Sequence, residues 1–84
     1  MELTPKQKAF EYAGRLCERL KVVSRELRAA LNLSRYALEM RAGVSRDTLG
    51  DIEDRDTSPS LHFCARLAHG MGMKLWELVR MLED

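Results

Sequence analysis

Residues 35–53, RYALEMRAGVSRDTLGDIE, restrict what this chain can fold into more than any other stretch. Leu38 and Ala42 lie four apart on one helical face, and Leu49 and Ile52 lie three apart on another. Between them, Ala42-Gly43-Val44-Ser45 supplies what a sharp corner needs. Gly43 takes the positive φ that ends a first helix without a Cβ penalty. Val44 tucks into the angle between the helices, and Ser45 caps the next one by accepting from its first free N–H groups. The pattern predicts two short helices held at a steep angle.

The rest of the chain supports an all-α fold. Its 84 residues make one domain, which buries roughly 60–65% of its unfolded surface. Gly and Pro are scarce, and no segment alternates with period two for long enough to form a strand. No apolar run approaches a membrane span, and MELTPKQKAF lacks a signal-peptide core, so a cytoplasmic location is expected. Cys17 and Cys64 each sit in an apolar helical pattern and read as buried, reduced thiols rather than a disulfide.

Taken in order, Thr4-Pro5-Lys6-Gln7 is a helix start, with Thr4 as N-cap, Pro5 at the first position and Gln7 completing a capping box. Phe10, Ala13, Cys17, Leu20, Val23, Leu27 and Leu31 then recur every three or four residues. Either one long helix carries this stripe, or two helices join near Val22-Val23-Ser24, where Ser24 offers a cap; one long or kinked helix is the favoured reading. Ser34 caps a second helix over residues 35–41, and Ser45 a third over 46–54. A fourth helix starts at Ser58-Pro59 or after Ser60, with Leu61, Cys64, Ala65, Ala68 and Met71 facing inward. Gly70 and Gly72 end it, and Leu75, Leu78, Val79 and Leu82 mark a fifth. Trp76 and Met40 read as packing residues.

Two helices joined by a glycine corner form a helix-turn-helix, whose second helix can lie in the major groove of DNA. GVSRDTLGDIE followed by Ser58-Pro59-Ser60-Leu61 resembles the Cro/phage-repressor type of helix-turn-helix domain, and the likeness runs over about residues 20–82. It implies a five-helix repressor-like bundle over residues 20–84, with residues 1–19 as an N-terminal helical extension. That extension either lengthens the core or makes a homodimer contact through Phe10, Tyr12, Ala13 and Leu16.

The resemblance also implies a transcriptional regulator that binds double-stranded DNA as a homodimer, without catalytic activity, cofactor or metal. In that geometry Arg46, Asp47, Thr48 and Asp51 reach base edges or nearby phosphates. Arg35, where the family usually has Gln, contacts phosphate, and Ser34, Ser45 and Arg55 complete the expected DNA-binding set. There are departures. Gly50 and Asp51 stand where the family often has Ser or Arg, and the loop carries Asp54, Arg55, Asp56 and Thr57 in place of Gly with Lys or Arg. Glu39 replaces a small residue at the helix junction, where it either bends outward to pair with Arg35 or opens the angle between the helices.

Charge is the obstacle to this reading. Residues 5–28 hold seven basic and three acidic side chains, while residues 44–56 hold two basic and five acidic ones. Carboxylates held against phosphate repel it, and fewer cations release fewer counterions. The alternative is therefore a protein–protein module whose acidic third helix docks on a basic partner. His62 and His69, seven apart, lack metal-ligand spacing, and no Ser, His and Asp stand in a nucleophile arrangement.

Overall fold

Twelve apolar side chains, drawn from every helix, close around one another in the computed structural model, which describes residues 2–84. The elements are α1 (Pro5–Ala30), α2 (Arg35–Ala42), α3 (Arg46–Asp54), α4 (Leu61–Gly70) and α5 (Leu75–Glu83), with no strand among the described residues. The chain is the expected all-α bundle of five helices. α1 packs on α3 and α5, α2 on α3 and α4, and α4 on α5. Leu20, Leu38, Leu49, Leu67 and Leu78, one from each helix, are sealed from solvent at the centre.

α1 is one uninterrupted helix of 26 residues. Thr4 and Gln7 form the expected capping box, with Pro5 in the first turn. Ser24 is no cap. It is fully buried, and its Oγ donates to Glu53 at 2.6 Å, which lets the helix run through Val22 and Val23. Asn32, in the left-handed region at φ 56°, ends the helix. Its N–H donates to Ala29 and that of Leu33 to Arg28, closing two of the orphan carbonyls. Gly72, at φ 77°, repeats this ending on α4.

Several expected faces are corrected. Residues 2–15 are exposed throughout, and Phe10, the start of the expected stripe, is 71% exposed; the buried part of α1 begins further along, with Leu20 and Val23. Of the expected 1–19 segment, Met1 lies outside the described residues. Leu31 is exposed as well, because Asn32 turns the chain away there. On α4 the inward residues are Phe63, Leu67, Ala68 and Met71, whereas Leu61 and Ala65 face solvent. Of the two expected starts, the one after Ser60 is observed: Ser60 is the N-cap, and its Oγ accepts from Phe63 N at 3.0 Å. Trp76 and Met40 are exposed rather than packed. Cys17 and Cys64 are free thiols, half-buried rather than buried; burial, and secondarily Cys17, pushes the Cys64 thiol up.

Candidate nucleic-acid interface

The corner forms from the residues expected to form it. Gly43 adopts φ 71°, and its N–H donates to Glu39 O at 2.8 Å, terminating α2. Val44 is buried in the angle. Ser45 caps α3, its Oγ accepting from Thr48 N at 3.0 Å and donating to Thr48 Oγ1 at 2.8 Å. Ser34 caps α2 in the same way through Ala37 N. Across the back of the corner, the Arg66 guanidinium of α4 donates to Ala42 O at 3.2 Å and to Gly43 O. Cationic donors at a helix C-terminus satisfy its last carbonyls and complement its dipole.

α3 is amphipathic on this scaffold. Leu49, Ile52 and Glu53 point inward, while Arg46, Asp47 and Thr48 face solvent and Asp51 stands half exposed. A shallow depression along the outer face brings together Arg35, Arg46, Asp47, Gly50, Asp51, Asp54 and Arg55. Five of the eight expected residues therefore meet: Arg35, Arg46, Asp47, Asp51 and Arg55. Ser34, Ser45 and Thr48 lie outside it, as caps and as a cap's partner.

The carboxylates here have intramolecular partners that come mostly from distant parts of the chain. Glu53 is fully buried. It accepts from Ser24 Oγ at 2.6 Å, from Arg28 Nη2 at 2.7 Å and Nε at 3.0 Å, and from Arg35 Nε at 3.1 Å. Burial alone pushes the Glu53 carboxyl up; hydrogen bonds from Arg28 and Ser24, then the Arg28 charge, outweigh it and hold the group below its usual range. Asp54 is bridged by Arg25 at 2.9 Å and by Arg35 at 2.9 Å, and these hydrogen bonds, Arg25's first, lower its carboxyl as well. Lys21 reaches Asp56 at 2.6 Å and lowers it in turn. Asp51 lies 3.7 Å from Arg55, an exposed pair of little energetic weight. Asp47 alone of the five forms no ion pair among the described residues.

A family model of the helix-turn-helix type matches residues 25–78, which take in the end of α1, the corner and α3, and the helices behind them. The chain belongs to the Cro/repressor-type helix-turn-helix family. No curated protein and no solved structure matches it. This is a family of DNA-binding domains, and no described helix of this member is long and apolar enough to cross a membrane.

Within this helix-turn-helix protein, two expectations take a different form. Glu39 does not pair with Arg35. It spans the corner, with Oε1 3.0 Å from Arg46 Nε and Oε2 accepting from Arg46 N at 3.3 Å. Arg35 is drawn the other way, over α3, onto Glu53 and Asp54. Gly50 lies beside it, and a Cβ there would stand 3.4 Å from Arg35 Nη1, a contact the flexible arginine tip can accommodate.

Sequence reasoning missed Arg25 and Arg28 as partners of the acidic stretch, Arg66 as the brace of the corner, and Tyr36, whose ring lies 5.1 Å beneath the Arg46 guanidinium. For Tyr36 a signal existed: with Glu39 at i+3 it shares a face of α2. The arginines gave none, being 25 or more residues away from Glu53 and 23 or more from the corner.

Proposed function

We propose that this chain is a sequence-specific transcriptional regulator of the cytoplasm that binds duplex DNA with α3 in the major groove. The observation that carries the reading is the pairing of the acidic stretch. Lys21, Arg25 and Arg28 from α1 and Arg35 from α2 sit on Glu53, Asp54 and Asp56, so the repulsion of those three carboxylates is offset inside the molecule, and Asp47 and Asp51 are left on the outer face. Arg46, whose side chain is 59% exposed, is left at the leading end of α3 where a base edge or phosphate would lie. Arg41 and Arg55, both exposed, flank it as candidate phosphate contacts, with Ser34 and Ser45 offering helix N-termini.

The protein acts as a homodimer on half-sites about one helical turn apart. The exposed first half of α1, with Phe10 and Ala13 outward, supports a contact between copies. Tyr12 contributes less freely, because its hydroxyl donates to Glu83 of the same chain. Phe10→Glu lies outside the core and should shift the mass by light scattering from dimer to monomer while leaving the melting curve of the bundle in place.

The deciding measurement is fluorescence anisotropy with random and genomic duplexes at low and moderate salt. Binding with a steep salt slope is expected, and Arg46→Ala should weaken it by about 1–3 kcal/mol. Absence of binding at low salt would overturn the reading and favour a protein partner for the outer face of α3.

A further inference from the structure

Glu39 is out of place by family pattern, and the structure gives it an occupation that the corner itself does not require. Gly43 already terminates α2, and Ser45 already caps α3. Glu39 nevertheless sends its carboxylate across the corner to Arg46, one oxygen beside Nε at 3.0 Å and the other on the backbone N–H at 3.3 Å. From the same face of α2, the Tyr36 ring lies 5.1 Å from the guanidinium carbon. Arg46 is thus held from below by a ring face and from its stem side by a carboxylate. Its side chain remains 59% exposed. Both contacts come from one helix turn, and both converge on a side chain that is otherwise free to sample many rotamers.

We infer that Tyr36 and Glu39 are positioning residues that aim Arg46 for two-pronged recognition of guanine in the major groove. The inference rests on α3 being the groove-reading helix. An arginine that only anchors phosphate needs reach and charge, and a neighbouring carboxylate weakens it for that purpose. An arginine that reads a base needs its planar fork at a set angle, because guanine presents O6 and N7 side by side. The carboxylate stands at Nε, on the stem side of the guanidinium, and the Tyr36 ring, 5.1 Å from the guanidinium carbon, restricts how the group can turn. Ordering the side chain before binding removes an entropic cost that would otherwise fall on the complex.

The test is selection of bound duplexes from a randomised pool by the full chain, followed by base preference measured at each position. The variants are Arg46→Ala, Tyr36→Ala, Tyr36→Phe and Glu39→Gln, each checked by thermal melting. The wild-type motif should contain a guanine whose preference, on the order of 10- to 100-fold, disappears in Arg46→Ala. Tyr36→Ala and Glu39→Gln should flatten that same position about threefold to tenfold, and Tyr36→Phe should retain it. Glu39→Gln also removes a negative charge, so its affinity for unrelated sequence should rise while discrimination falls. A purely structural role would not divide the two. A motif whose guanine is unchanged in Tyr36→Ala and Glu39→Gln, or an Arg46→Ala variant weakened equally at every position, would overturn the inference and leave DNA binding standing. A wild type that enriches no motif would overturn both.

Discussion

Removing the buried carboxylate should cost the protein a large share of its stability. Glu53→Ala deletes the acceptor that ties Ser24 and Arg28 of α1 and Arg35 of α2 to α3. Breaking a buried ion pair by deleting one partner costs about 3–5 kcal/mol, because the other charge is left desolvated. Arg28 and Arg35 retain 18% and 33% side-chain exposure, so both regain some water, which argues for the lower part of that range. Ser24 does not, since it is fully buried and loses its partner. A loss of about 3 kcal/mol is a large share of the roughly 4–13 kcal/mol expected of a domain this size. At about 4–8 °C per kcal/mol it lowers the melting temperature by roughly 12–24 °C. Circular dichroism melts and urea titrations of wild type, Glu53→Ala and Glu53→Gln measure it. A change of under about 4 °C in Glu53→Ala would refute the view that this carboxylate holds the bundle together.

The same group makes stability acid-sensitive. The folded-state pKa values of Glu53 and Asp54 lie below their unfolded values, so their contribution is complete above the ordinary carboxylate range near pH 4. It is lost as pH falls through the lower folded values, and Glu53→Gln should blunt that decline below the ordinary carboxylate range in urea titrations. Gly14 lies in an exposed helix interior with nothing within 4 Å of a Cβ, so Gly14→Ala should stabilise by about 0.5–1 kcal/mol; a destabilised monomer would contradict this. Gly70 is the opposite case, because a Cβ there would fall on the Cβ of Ala42, where α4 crosses α2. Gly70→Ala should cost about 1–3 kcal/mol in denaturant unfolding, and an unchanged midpoint would show that the crossing yields easily.

Local chemistry was the most legible part of the fold. Gly43, Ser45, Ser34 and Thr4 act within four residues of themselves, so their turn and cap roles can be read from spacing, and the expected bounds of α3 match those observed. The expected α2 stopped one residue short, at Arg41, because Ala42 serves both helix and corner. Tertiary pairing was not legible. The run of carboxylates from Asp47 to Asp56 looks repulsive in one dimension; only folding brings Lys21, Arg25 and Arg28 alongside it. Ser24 illustrates the same limit, since a serine in a helix signals a cap locally and a buried donor only once Glu53 has come beside it. Periodicity also overstated how far the core extends, because Phe10 keeps the helical register of Leu20 but lies beyond the reach of the other helices. Within the site, the positions of Arg46 and Asp51 followed from helix geometry, while the directions taken by Arg35 and Glu39 depended on which opposite charge lay nearer.

α1 has a consequence for how a grip at one end of the molecule is felt at the other. Its outer turns project from the bundle, and its inner turns are fastened to α3 through Glu53. A rigid shaft of this kind converts residue count into phase. Inserting one residue among the outer turns would swing everything beyond it by about 100° and advance it about 1.5 Å. The orientation of α3 relative to whatever holds the tip is therefore written in the length of the shaft, and a single-residue insertion would mistime the two without disturbing either.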